Sequence, residues 1–243
     1  MRALYFKEIR SFLSSIIGYI FIVIFLIGTG IFLWIAPGDA NLLEGGIADL
    51  IPFFNLAPNL FFILIPAITM RSIAEERRTG TIELLFTRPI SDTKMILAKY
   101  FASVTLLIFA ILPTVIYYIT VYKLSLVPEK FDHGATITSY IGLILLGSVF
   151  VAIGIFSSSL TSNQIVAFIV GMFFCWIFFD GFTRLGSFNL MGSFDKILQY
   201  FGISQHYDSI RKGVIDTSDL IYFFSVIVAF LYADLKKVSS IKK

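Results

Sequence analysis

Glu75-Glu76-Arg77-Arg78-Thr79-Gly80-Thr81-Ile82-Glu83-Leu84-Leu85-Phe86-Thr87-Arg88-Pro89-Ile90-Ser91 stands at the centre of the most densely charged segment of the chain, residues 71–99. Six bases (Arg71, Arg77, Arg78, Arg88, Lys94, Lys99) and four acids (Glu75, Glu76, Glu83, Asp92) fall in it, while the flanking runs 50–70 and 100–122 carry no charge. Either run is long enough to cross a bilayer core, which takes roughly 20 apolar residues in a helix. The composition agrees: 57% of the 243 residues are hydrophobic, 14% are charged and the mean hydropathy is +0.87, whereas a soluble domain carries about 25% charge. The chain reads as an all-α, polytopic membrane protein with a single transmembrane domain over residues 1–243.

Further uncharged runs complete the count of spans. Residues 11–38 hold the first, and the run is longer than a secretory signal's apolar core. Residues 134–179 are long enough for two, divided by Ser157-Ser158-Ser159-Leu160-Thr161-Ser162-Asn163-Gln164, a polar stretch expected at a water interface as the turn of a helical hairpin. Residues 220–233 are short for a span, but Asp216 or Asp219 can cap the start and Lys236 and Lys237 can snorkel at the end, so a sixth span is expected. Arg2, Lys7, Arg10, the six bases of 71–99 and Lys236, Lys237, Lys242 and Lys243 then fall on one side, against Lys123, Lys130, Arg184, Lys196, Arg211 and Lys212 on the other. The positive-inside rule puts both termini and the 71–99 segment in the cytoplasm.

Residues 1–15 set Leu4, Phe6, Ile9 and Leu13 against Arg2, Lys7 and Arg10, the pattern of an amphipathic helix along the headgroups. A charged lead-in that merely fixes topology is the alternative. Pro52, Pro58 and Pro66 in the second run and Pro113 in the third each remove a backbone donor and invite a kink. The external loop 182–219 is amphipathic and is expected to form short helices at the outer leaflet, with Asp180 and Arg184 paired four residues apart. His133 and His206 have no partner at ligand spacing and read as surface residues, and the lone Cys175 as a packed one.

The chain lacks a phosphate-binding Gly-x4-Gly-Lys-Ser/Thr loop, a His-Glu-x-x-His pair, a Gly-x-Ser-x-Gly elbow and a Cys-x-x-Cys pair. The spans also lack the chain of buried acids that a proton relay requires. No cofactor, metal or nucleic acid is expected on the chain itself, and energy for uphill transport has to come from a partner. The central segment is the candidate entry point. Gly80 breaks the helix leaving the second span, Thr81 can cap a new one with Glu83 in its first turn, and Pro89 stops it. That leaves a helix of about two turns over 81–87, with Ile82, Leu85 and Phe86 on one apolar face. Ser91 can cap the helix that follows. Such an element suits insertion into a groove of a cytosolic partner; bases that only enforce topology, with the apolar face on lipid, are the other reading.

These residues carry a resemblance. Glu75 through Leu85, followed by Pro89-Ile90-Ser91, resembles the cytoplasmic loop between the second and third spans of ABC-2-type transporter permeases. Phe156-Ser157-Ser158-Ser159-Leu160-Thr161-Ser162-Asn163-Gln164-Ile165-Val166-Ala167 resembles that family's junction between spans four and five. His206-Tyr207-Asp208-Ser209-Ile210-Arg211-Lys212-Gly213-Val214-Ile215-Asp216 is similar to the approach to its last span, and Lys7-Glu8-Ile9-Arg10-Ser11-Phe12 to its N-terminal helix. Within the family the chain looks most similar to the gliding-motility-associated permease of Bacteroidetes.

The resemblance implies a permease in a bacterial inner membrane, paired with a second permease subunit and served by a cytosolic ATP-binding subunit that holds ATP and magnesium. A gliding-type system adds an auxiliary membrane subunit. On this reading Gly80, Thr81 and Glu83 shape a coupling helix, Ile82, Leu85 and Phe86 face the partner's groove, and Glu75, Glu76, Arg77 and Arg78 pair at its rim. A non-transporting membrane scaffold or signalling subunit that docks a cytosolic ATPase is the alternative function. A channel is disfavoured because no filter sequence or regular charge spacing occurs in a span.

Overall fold

The computed structural model describes residues 1–44, 49–87, 90–125, 131–188 and 192–242. Among them every regular element is helical, and six helical stretches are long and apolar enough to span a membrane. The bundle is built around α8 (His133–Leu160). Of its apolar window 78% is buried, against 22% to 50% for the other spans. It touches α3 (Ile51–Thr69), α6 (Asp92–Ile111), α9 (Gln164–Trp176), α12 (Ile203–Arg211) and α13 (Thr217–Ile241).

Small residues allow this crowding. A Cβ on Gly154 would stand 2.1 Å from Thr69 Oγ1 of α3, one on Gly147 would meet Leu107 of α6 at 2.4 Å, and one on Gly142 would meet Ile210 of α12 at 2.5 Å. Apolar area alone does not hold helices together in lipid, so close approach at small residues supplies the packing contacts. Around this axis α2 (Ile16–Trp34) leans on α3 through the stacked Phe25 and Phe61 rings, 5.2 Å apart. Outward residues such as Ile20, Ile24, Ile169, Phe173, Phe224 and Val228 remain exposed, as a lipid-facing surface requires.

The prolines fall as the sequence suggests, though with different effects. Pro52 sits in the first turn of α3, where its missing donor costs nothing, while Pro58 and Pro66 lie inside that helix. Pro113 converts the third span into α6, a 3₁₀ turn at Leu112–Thr114 and α7 (Val115–Leu124). The disturbed backbone is repaired locally, because Tyr140 donates from its hydroxyl to the Thr114 carbonyl at 2.9 Å.

The hairpin turn between α8 and α9 is where the sequence placed it, capped by Asn163. Its serines are not at a water interface, however: Ser157, Ser158 and Ser159 are fully buried, because α8 continues to Leu160 inside the bundle. The sixth span is longer than the uncharged run, since α13 continues past Asp234, Lys236 and Lys237 in one helix, with Asp216 capping its start. Between the fifth and sixth spans lie α10 (Phe182–Ser187), α11 (Ser193–Phe201) and α12. Asp180, in a π-helical turn at Ile177–Gly181, pairs with Arg184 of α10 as expected.

α12 folds inward instead of resting on the surface: Ile203, Tyr207 and Ile210 are buried, and Tyr207 donates to the Phe54 carbonyl at 2.8 Å. His206 is carried with it and is buried, not superficial. Its Nδ1 hydrogen-bonds Asp219 at 2.7 Å, its Nε2 faces the Tyr200 carbonyl at 3.0 Å, and its ring stacks on Tyr222. Three residues of this wedge therefore close the bundle end opposite the 71–99 segment.

Gly154→Val tests the axis. The substitution must push α3 from α8 and should cost roughly 1–3 kcal/mol. The lone, fully buried Cys175 supplies the readout, because a thiol-reactive dye labels it only on unfolding and should report a lower midpoint.

Candidate functional site

The polypeptide leaves α3 at Thr69, makes a turn and enters α4 (Ala74–Arg78). Such a turn strands the last carbonyls of one helix and the first N–H groups of the next. One hydroxyl deals with both. Ser158 Oγ accepts from the backbone N–H of Ile73 and of Ala74, each at 3.0 Å, and donates to the Met70 carbonyl at 2.9 Å. Arg77 Nη1 donates to the Ser159 carbonyl at 2.9 Å, occupying an acceptor at the end of α8. α4 is thus fastened to the hairpin turn of the central helix.

Gly80 then takes φ +70°, a left-handed conformation that glycine adopts without strain, and redirects the chain into α5 (Thr81–Phe86). Thr81 does not cap this helix. Its hydroxyl points back to α4, 3.4 Å from the Glu76 carbonyl and 2.9 Å from Thr79 Oγ1, and the Glu83 N–H meets the Gly80 carbonyl instead. Ser91 stands at the N-terminus of α6 as expected, but makes no capping hydrogen bond from its side chain. Arg88 and Pro89, the expected stop, lie outside the described residues, as does the Leu85 side chain.

The apolar face of α5 looks inward. Ile82 is only 5% exposed and joins the protein's own core, and Phe86 is partly buried with the Lys242 ammonium 5.5 Å above its ring. The expectation that Ile82 faces a partner is therefore corrected, because a two-turn helix gains by burying it on its own subunit, while Phe86 is only partly covered there. The outward residues are Thr81, Glu83 and Leu84, the last 65% exposed. The expected rim pairs are also redistributed, for Glu75 lies 3.9 Å from Arg71, Arg77 holds α8, Arg78 is exposed and Glu76 turns inward.

Glu76 meets the feature that the sequence did not disclose. Lys99, on α6, is 1% exposed at its side chain, and its Nζ lies 2.7 Å from Glu76 Oε1, 3.3 Å from Glu8 Oε1 and 2.7 Å from the Ser72 carbonyl. Glu8 belongs to α1 (Arg2–Ser14), which packs along α6. Lys7 adds a second ammonium, 2.9 Å from Glu8 and 3.7 Å from Glu76. Burial alone would raise the Glu8 carboxyl, but Lys99 and then Lys7 outweigh it and hold the group below its ordinary value of 4.5. One buried cluster thereby joins the N-terminal helix, the segment after the second span and the third span. At the same end Lys242, past α13, lies 3.5 Å from Asp92.

With this geometry in place the comparison with known families is decisive. The profile of the ABC-2 family transporter protein matches residues 44–233, more than half of the chain. The chain belongs to the ABC-2 transporter family. It is the permease component of an ABC exporter, a membrane subunit of a class that is generally non-catalytic and works with an ATP-binding subunit. No curated protein matches the chain. The matched region holds α3 through most of α13 and so includes Glu76 and Lys99, whereas Glu8 and the rest of α1 lie before it.

Two predictions follow from the buried cluster. Lys99→Met leaves two carboxylates buried together and should destabilise the permease by roughly 3–5 kcal/mol, whereas adding Glu8→Gln and Glu76→Gln restores most of the loss; Cys175 labelling measures both. The second concerns pH. A carboxyl whose folded value is depressed stabilises the fold above its unfolded value, about 4.5, and that contribution is lost as pH falls through the lowered folded value. Thermal unfolding followed by tryptophan fluorescence should therefore show an acid-side loss of stability that is smaller in Glu8→Gln.

Proposed function

We propose that the permease receives ATP-driven motion from a cytosolic ATP-binding subunit at α5 and passes it to the spans through α4 and the Lys99 cluster. The observation that carries this reading is the position of α4–α5. The segment projects from the second span, exposes Leu84, and is tied by Glu76 to α1 and α6 and by Ser158 to α8. A push on it therefore acts on three helices at once.

In this reading the end that carries both termini and residues 71–99 is cytoplasmic, in the inner membrane of a bacterium, as the Lys/Arg distribution favours. The permease works as one half of a homo- or heterodimer, and ATP and magnesium reside in the partner. Glu75, Gly80, Thr81, Glu83 and Leu84 present the docking surface, Arg78 lies at its edge, and Ile82 and Phe86 anchor it from within. A role in gliding motility or secretion, with an auxiliary membrane subunit, rests on the likeness of the chain as a whole to the gliding-motility-associated permease. The uncharged walls of the spans suit lipid-like or amphipathic cargo.

Leu84→Asp places a charge on the exposed face of α5 without disturbing the core. In vesicles holding the permease with its ATP-binding subunit, this variant should lower transport-coupled ATP turnover by about tenfold or more, the effect of losing a central interface contact. The Cys175 unfolding midpoint should stay unchanged. Full association and turnover in Leu84→Asp would remove α5 as the docking element, and turnover without export of any material would favour the scaffold.

A further inference from the structure

α1, the start of α2 and the turn between α3 and α4 enclose a cavity of about 270 Å3 walled by Lys7, Glu8, Arg71, Glu75, Glu76 and Lys99. Three of its charges are already spent. Lys99 gives its donors to Glu8, Glu76 and the Ser72 carbonyl, and Lys7 sits between the same two carboxylates. What remains open has both signs. Arg71 Nε is buried without a hydrogen-bond partner among the described residues, and at 3.9 Å Glu75 is too far to accept from it. Glu76 Oε2 is likewise buried and unpartnered, although its twin Oε1 is the atom that binds Lys99.

Leaving Glu76 Oε2 buried without a hydrogen bond is costly, and the Arg71 and Glu75 side chains, 42% and 40% exposed, present their charges beside it, so an occupant of matching chemistry is favoured. That occupant needs negatively charged acceptors for Arg71 and positively charged N–H donors for Glu75 and Glu76. It must also tolerate the apolar side of the cavity, formed by Phe12, Ile17 and Ile68. The next residue, Ile16, is 77% exposed on the lipid-facing start of α2, which puts acyl chains beside the cavity.

We propose that this cavity binds the phosphoethanolamine headgroup of a membrane phospholipid, the phosphate on Arg71 and the ammonium on Glu75 and Glu76. The alternatives each leave one sign unmet. Choline is cationic but has no N–H to donate to Glu76 Oε2, and a glycerol headgroup can donate to it only from neutral hydroxyls, leaving the negative charge of Glu75 and Glu76 unmatched.

Native mass spectrometry of the full chain, released from micelles with equimolar phosphatidylethanolamine, phosphatidylcholine and phosphatidylglycerol, tests the assignment. Phosphatidylethanolamine should be retained at least about tenfold over the other two, the factor expected of one charge-assisted hydrogen bond. Ser11→Trp, which crowds the exposed rim without touching a charge, and the double variant Arg71→Ala, Glu75→Gln should each bring the preference to near parity. Lys94→Gln, a base outside the cavity wall, should keep it, and Cys175 labelling verifies folding of all three. Equal retention of the three lipids, or a preference that survives both cavity variants, overturns the proposal. Displacement of the lipid by an equal concentration of free phosphoethanolamine would also overturn it, because the site would then take the soluble compound and not the lipid.

Discussion

An ammonium group in an apolar helix bundle has to be neutralised where it lies, and Lys99, at 1% side-chain exposure, is neutralised by residues from two other helices. Desolvating such a charge costs several kcal/mol, which attraction returns only when the geometry is good and the remaining donors are used. Here all three donors are directed at acceptors, Glu8, Glu76 and the Ser72 carbonyl. The consequence is geometric. Neither α1 nor α4 can swing away from α6 without separating a carboxylate from the Lys99 ammonium. The arrangement at this end of the permease is discrete, because intermediate positions are electrostatically poor.

The second constraint is backbone satisfaction at the break between α3 and α4. In a bilayer, irregular backbone survives only where protein groups replace water, and Ser158 supplies that replacement from the last turns of α8. Its hydroxyl can reach both neighbours only because Gly154, one turn earlier, lets α8 and α3 approach closely. The packing of the central helix and the attachment of α4 are therefore one feature. α4 and α8 are joined by short hydrogen bonds of 2.9–3.0 Å that leave little slack between them.

The spans were legible because the bilayer imposes a single requirement, roughly 20 apolar residues, that composition reports directly. The hairpin that Asn163 caps and the turn at Gly80 were legible for local reasons, a polar divider in an apolar run and a helix-breaking glycine. What could not be read depends on partners far apart in sequence. Glu8 and Lys99 are 91 residues apart, and nothing in the run around either names the other. The serines at 157–159 were mistaken for an interfacial stretch because polarity alone does not distinguish water from a buried backbone that needs a hydroxyl. Ile82 was read as facing a partner and is buried in the protein's own core, since periodicity gives the face of a helix but not which neighbour it meets. His206 was misplaced for a similar reason: α12 carries it under the end of α13, and only the fold supplies Asp219 and Tyr222.

Glu76 belongs both to the Lys99 cluster and to the cavity wall, with one carboxylate oxygen in each. A headgroup bound at Oε2 and the ammonium bound at Oε1 share the same charge, so occupancy of the cavity and the position of α4 are thermodynamically linked. If the lipid binds better when α4 is seated, then bound lipid must favour the seated position of α4 by the same factor. The linkage is direct because no intervening element separates the two interactions. Residues 74–78 are short enough to move as one body, and Arg77 and Ser158 set the position from which they move. With the proposed headgroup in the cavity, bilayer composition would bias the seating of α4 without any contact to α5 itself.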